Sequence, residues 1–330
     1  MAYPGLNIRI YPIKGLKDSV IGFVMHALLF LSGIVFWLAI RLGIVKAVSK
    51  AAAKVLLAPR LKHKAFNKYI PGAHDVLVCT YSKSGTNWAL QIITQIAWYG
   101  EAEFEHIHEI VPWAEGRIFP YVVGLDNPTY AVAPTGLRAV KTHLESDFVP
   151  YNEAARYLIV IRDPKDIAVS AYRFVQTLMP TVRDLMIDDF ITLFKTGEMI
   201  YGSWPYHTGS FWCWRNRSNV LILFYAEMKQ DLDACVRRIA DFMQVSLNEE
   251  QIKKVIHKSS FAYMQGIDHK FAPDVPGATR NAKTPIMMRS GKTGSASEIL
   301  NQEQMRDIDR AMVEQLRRLN CDFPYNQYFS

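Results

Sequence analysis

Lys83, Ser84, Gly85 and Thr86 place a full cation, two hydroxyls and a residue without a side chain in direct succession. Such a run suits an anion: the ammonium supplies charge, the hydroxyls supply donors, and glycine lets the backbone approach closely. The chemistry on offer is the cradling of a phosphate or phosphosulfate. Residues 76–81 ahead of the run are a short apolar stretch of strand type, and residues 88–98 behind it follow a helical pattern. The loop therefore lies at a helix N-terminus, where backbone N–H groups and the positive dipole end converge on one point. It is not the common G-x-x-x-x-G-K-[ST] nucleotide loop, because that spacing is absent and the run holds one glycine.

The elements that must position this loop repeat along the chain. Residues 76–81, 137–142, 157–161 and 220–225 read as strands and alternate with helical patterns. That alternation predicts an α/β fold with a mainly parallel sheet and helices on both faces. Ligands then bind beyond the carboxyl ends of the strands, where the chemistry-bearing residues lie. The 330 residues, 50% hydrophobic, suffice for one large core. No internal repeat is present, and the Gly/Pro/Thr/Ser-rich span 273–297 reads as a long functional loop.

Five segments in order give the chain a relationship. Lys83-Ser-Gly-Thr-Asn-Trp88 after a strand resembles the 5′-phosphosulfate loop of the cytosolic-type sulfotransferases, which use 3′-phosphoadenosine 5′-phosphosulfate (PAPS). Lys141-Thr-His143 resembles the family's Lys-Thr-His, and Arg162 to Ser170 resembles its 3′-phosphate segment. Residues 224–229, Phe-Tyr-Ala-Glu-Met-Lys, are similar to its Phe-Tyr-Glu-Asp-Met-Lys, and Arg289-Ser-Gly-Lys-Thr-Gly294 resembles the loop that closes over the nucleotide. The resemblance covers roughly residue 73 to the C-terminus and implies the sulfotransferase fold, which is like that of P-loop kinases.

The resemblance also implies roles. Lys83 would neutralise charge on the bridging oxygen as PAP leaves, a task suited to a compact ammonium. His143 would take the acceptor's proton, its ordinary pKa of about 6.5 lying near working pH, and Lys141 belongs to the same catalytic set. Arg162 would fork onto the 3′-phosphate, and Ser170 would bond the same phosphate and restrain the lysine. Ser84, Gly85, Thr86 and Asn87 would line the phosphosulfate, with Ser259, Met288, Arg289, Ser290 and Gly291 completing the clamp. Trp88, Tyr225 and Phe261 would surround the adenine. The implied activity is sulfuryl transfer from PAPS to a hydroxyl or amine of a small, lipophilic acceptor, without a metal. The apolar stretches 104–113, 178–206 and 263–271 are candidate acceptor walls.

The chain departs from the pattern in places. Ser82 replaces a proline before the lysine, Asn87 a threonine and Ser259 another threonine. Ser290 and Ser297 stand where lysines are frequent, which removes charge from the nucleotide clamp. The family's dimer motif is not recognisable, so the dimer does not transfer and an oligomeric partner is left open.

Residues 20–40 carry no charge. As a helix they would extend about 30 Å, the thickness of a bilayer core, which predicts an N-terminal transmembrane helix. Arg41, Lys46, Lys50, Lys54, Arg60, Lys62 and Lys64 follow before any acid, against a weaker basic excess from Arg9, Lys14, Lys17 and Asp18. The positive-inside rule then sets the catalytic domain on the cytosolic side of a single-pass protein. The predicted organisation is a flank at 1–19, the membrane helix at 20–40, a basic juxtamembrane segment at 41–72 and the sulfotransferase domain at 73–330. These basic residues exceed the net charge of +7, so the remainder is slightly acidic. The basicity therefore points to anionic membrane lipid, at about 1 kcal/mol per nearby cation, and not to nucleic acid. Four cysteines without C-x-x-C spacing indicate neither zinc nor a disulfide frame, and His106 and His108 pair with no second cluster. A nucleotide kinase would want a Walker lysine and a Mg²⁺-holding acid. A membrane-tethered PAP/PAPS-binding scaffold without turnover is the non-enzymatic alternative.

Overall fold

The computed structural model describes residues 20–116, 119, 121–273 and 285–329, with backbone alone at 20–30 and 180. Three helices come first: α1 (Val20–Arg41), α2 (Val45–Leu56) and α3 (Pro59–Lys62). The sheet then begins with β1 (Asp75–Thr80), followed by α4 (Thr86–Ala97), β2 (Arg138–Thr142), β3 (Arg156–Ile161), α5 (Pro164–Leu178), α6 (Ile187–Thr196), α7 (Trp204–Trp212) and β4 (Val220–Phe224). Helices α8 (Tyr225–Gln230), α9 (Leu232–Met243), α10 (Glu249–Lys258), α11 (Phe261–Gly266), α12 (Gln302–Arg318) and α13 (Tyr325–Phe329) complete the chain.

The strands lie parallel in the order β2-β1-β3-β4. Their side chains alternate between two cores as the pleat requires. Leu77, Cys79, Tyr157 and Ile159 face α5, α6, α7 and α12, whereas Val76, Val78, Leu158 and Val160 face α4, α9 and α10. Both faces are covered, as expected for a parallel sheet. The chain leaves β1 for β2 on one side and continues to β3 on the other, so the carboxyl ends of β1 and β3 flank a crevice of the kind that binds ligands. Local chemistry fixes the helix beginnings beside that crevice. Gly85 caps α4 at φ 97°, and the Asp163 carboxylate accepts the Lys165 N–H at 2.8 Å with Pro164 in the first turn of α5.

The expected transmembrane helix is not supported. Among the described residues no helix is long and apolar enough to cross a membrane. The described part of α1 leans on the domain: Ala39 is buried, and a Cβ at Gly33 would meet the Thr181 hydroxyl at 2.9 Å. The lipid-facing reading of the basic segment also changes, because several of its cations meet acids of the same chain. Lys46 pairs with Asp189 at 2.9 Å and Lys50 with Glu198 at 2.5 Å, docking α2 on α6 and the segment after it. Lys62 holds both carboxylate oxygens of Glu145, at 2.7 and 2.8 Å. Residues 274–284 of the long loop expected over 273–297 lie outside the described residues.

Candidate active site

The loop after β1 is built as its residue types require. The Thr80 and Thr86 hydroxyls bond each other at 2.6 Å and pin the two ends of the turn. Lys83 takes a positive φ of 69°, and Gly85 passes so close to Tyr225 that a Cβ would meet the ring at 2.8 Å. The Ser84 hydroxyl is fully buried and has no partner among the described residues. Burial of a donor without a bond costs about 1–3 kcal/mol.

Arg162, just past β3, closes the crevice from the opposite side. It donates to the Lys83 carbonyl at 3.0 Å and to the Lys292 carbonyl at 3.2 Å, and its guanidinium lies 4.3 Å from the Tyr225 ring centre. Among the described residues its buried Nε has no partner, and neither has the Ser259 hydroxyl. Trp88 stands edge-on to Tyr225 and donates to the Ser259 carbonyl at 2.8 Å. Phe261 packs on Gly291, where a Cβ would come within 2.4 Å of the ring. The expected nucleotide residues Thr86, Asn87, Ser170, Met288, Arg289 and Ser290 line the same cavity. Arg289 meets Glu298 at 3.4 Å on the exposed rim. Ser297 bonds the Gly294 carbonyl and lies outside the cavity lining. Ser84 and Ser259, also expected at the nucleotide, are fully buried and lie outside the cavity lining, whereas Arg162 lines it beside the close-packed Gly85 and fits an anionic nucleotide.

The second half of the site lies at the end of β2. His143 is bonded through Nδ1 to the Thr80 carbonyl at 2.8 Å. A carbonyl only accepts, so Nδ1 carries the hydrogen and Nε2 keeps its lone pair. Burial first, then the Lys141 charge, holds the imidazole well below its ordinary pKa. The Glu115 carboxylate accepts from the His143 backbone N–H and from the Thr142 hydroxyl. Lys141 lies 3.7 Å above the Trp113 ring, and burial lowers its pKa to about 8 against the pull of Glu115. Lys83 lies 3.7 Å above the Phe174 ring; burial, then Arg162 and Lys141, bring its pKa to about 7. A neutral base and two loosely held protons thus face one cavity of about 1110 Å³.

Some functional side chains left no sequence signal. Glu115 sits in a loop, Phe174 is one turn beyond Ser170, and Asp268 accepts from the backbone N–H groups of Ile286, Met287 and Met288 at 2.8, 2.9 and 2.6 Å. Of the expected acceptor walls, His106, Trp113, Leu178, Tyr201 and Phe271 line the cavity, whereas Phe104 and Tyr263 do not. His108 stacks on Trp113 and bonds the Val111 carbonyl at 2.8 Å. Among the described residues no group of acids, histidines or cysteines could hold a metal.

Comparison with known proteins bears on the family and the fold. A family model described as the sulfotransferase domain matches residues 73–320. Sulfotransferase 1C2 of Rattus norvegicus is 30% identical over 229 residues, covering 67% of this chain and 75% of its own. A mouse sulfotransferase, SULT7A1, solved with PAP, superposes with a TM-score of 0.61 at 23% identity, covering 82% of this chain and 94% of its own. A retinol dehydratase in complex with retinol and PAP gives 0.62 at 24%, covering 81% of this chain and 88% of its own. At these identities the two structures speak for the fold, while the domain match and the rat relative carry the family. With the match spanning well over half its length, this chain belongs to the family of PAPS-dependent sulfotransferases.

Proposed function

We propose that the protein transfers a sulfuryl group from PAPS to a small lipophilic acceptor, with His143 as the base. The observation that carries this reading is the Nδ1 bond of His143 to Thr80, which leaves Nε2 as acceptor in the cavity that Lys83 also faces. PAPS supplies an activated SO₃ group on a phosphate leaving group. The sulfur forms a bond to the acceptor oxygen or nitrogen as its bond to the phosphate oxygen breaks, and the acceptor's proton passes to Nε2. Lys83, with Arg162 beside it, faces the charge left on the phosphate. Arg162, which lines the cavity with a buried Nε that has no partner among the described residues, supplies a preformed donor for the nucleotide. Glu115, bonded to the His143 backbone, fixes where the imidazole stands.

Membrane attachment through α1 belongs to the same proposal. Leu31, Val35, Trp37 and Leu38 on its described part are exposed apolar residues, followed by Arg41. This supports a lipid-seated N-terminus ahead of a sulfotransferase domain at 73–330, with that domain on the cytosolic side as the charge order favours. Resistance of the full chain to high-salt extraction is the expected outcome, and release by salt alone refutes it.

The activity is tested with ³⁵S-labelled PAPS, chelator and a panel of phenols, sterols, fatty alcohols and amines. Transfer of label is expected, and His143→Gln should lower turnover about 10²–10⁴-fold with PAP affinity retained. Wild-type turnover in that variant would remove the base assignment. Phosphate transfer from ATP would indicate a kinase, and PAP binding without transfer a scaffold.

A further inference from the structure

The cavity does not end where the sulfotransferase domain begins. Its lining continues from Lys83 and His143 past Tyr201 to Leu56, Leu57, Leu61 and Ala65, all of which precede residue 73. At about 1110 Å³ it exceeds the ~300–1,000 Å³ of pockets that hold one ligand, in keeping with a donor end and a long acceptor end. We infer that residues 56–65 form the distal wall of the acceptor site and select alcohols that carry an apolar tail. This rests on the sulfuryl-transfer reading above.

Three observations give the wall its chemistry. It is tied to the catalytic strand: Leu57 Cδ1 lies 3.7 Å from where a Cβ at Gly202 would stand, and the Gly202 carbonyl accepts the Tyr81 hydroxyl at 2.9 Å. Tyr81 immediately follows β1 and leads into the Lys83 loop. The wall's innermost cation is paired: Lys62 is neutralised by Glu145, and these two side chains are only 12% and 8% exposed, which leaves Lys64 as the charged member of that stretch of the lining. Its mouth is apolar and open to solvent, with Leu56 at 56%, Leu61 at 44% and Ile200 at 50% exposure. The opposite, catalytic end carries Lys83, Lys141 and Arg162, which repel a protonated amine and tolerate a neutral hydroxyl. The complementary acceptor therefore has a hydroxyl head and an apolar tail that lies along Leu56, Leu57 and Leu61 toward α2 and α3. The pairs Lys46–Asp189 and Lys50–Glu198 hold α2 in place, so the wall stands before the acceptor arrives.

The test measures kcat/KM for straight-chain alcohols of increasing length, with PAPS saturating, in the full-length chain. Wild type should favour longer alcohols. Leu61→Ala should lower the long-to-short ratio about tenfold, the scale of a lost methylene contact or more, and Leu57→Trp should end the preference at a shorter length by filling the channel. Calorimetry with PAP checks that both variants keep an intact donor site. A ratio within twofold of wild type in both variants, with PAP affinity kept, overturns the inference. Equal or better transfer to the matching alkylamines at neutral pH overturns the choice of a hydroxyl. If wild type binds PAP and transfers label to none of the alcohols, phenols or amines, the transfer reading itself falls, and this one with it.

Discussion

Lys83 combines two costs. Its positive φ is a conformation worth roughly 1–2 kcal/mol against a side-chain-bearing residue, and its ammonium is withdrawn from water beside Arg162 and Lys141. Lys83→Met keeps the strained φ but removes the buried charge, so it should raise the stability of the nucleotide-free protein by about 1–2 kcal/mol in calorimetry while removing most transfer activity. Because the folded pKa of about 7 lies below the ordinary value of 10.5, the unfolded chain binds more protons between those limits, and wild-type stability rises with pH across that window. The variant's advantage should be fullest below pH 7 and shrink toward pH 10; a lower melting temperature for the variant would mean that the ammonium is stabilising. The same pKa bears on binding. Above pH 7 wild type must take up a proton to meet PAP with a charged lysine, so affinity should decline with rising pH. Calorimetry at pH 8 in buffers of different ionisation enthalpy should register that uptake, and Lys83→Met should lack it. Lys83 was legible in the sequence because a cation, two hydroxyls and glycine between strand and helix leave little else to do. Phe174 and Glu115 were not, since an aromatic in a helix and an acid in a loop acquire partners only once β1, β2 and α5 are assembled.

The segment 285–298, which closes the nucleotide side, is held by two carboxylates from different elements. Asp268 takes three successive backbone N–H groups at 286–288, while Asp166 in the first turn of α5 accepts from Gly294 and Ala296 at 2.9 and 3.0 Å. Asp268→Ala should weaken PAP binding by about 1.5–3 kcal/mol, the range for losing hydrogen bonds to a charged group, and speed amide exchange at 286–288. Exchange at the wild-type rate would show that other contacts hold the segment. No periodicity betrays such a clamp, because a carboxylate grasping distant backbone leaves no mark in the residues grasped. The strands were legible for the opposite reason: β1, β3 and β4 are short apolar runs, with β3 the richest in β-branched residues. Their limits moved by a residue because Tyr81 and Tyr225 continue the apolar run after the ladder has ended.

The chain ahead of residue 73 was read as an anchor and a charged stalk, and α2 and α3 prove to be part of the enzyme's body. Charge counting could not tell lipid-facing lysines from those paired with Asp189, Glu198 and Glu145. The difference governs where the chain can be cut. Removing residues 1–43 should give a domain that binds PAP with wild-type affinity. Removing residues 1–64 should cost about 3–5 kcal/mol, because it strips Glu145 of its buried partner; equal melting temperatures for the two forms would show that α2 and α3 contribute nothing. The Thr80 carbonyl that orients His143 also ends the strand from which the anion loop departs. The proposed base and the anion loop thus share one fixed reference point, whereas the proposed acceptor walls come from helices and loops attached elsewhere. Alignment and selectivity are inherited separately, and a relative could exchange its residues 45–65 for another sequence, accept a different alcohol, and still present proton acceptor and sulfuryl donor at the same separation.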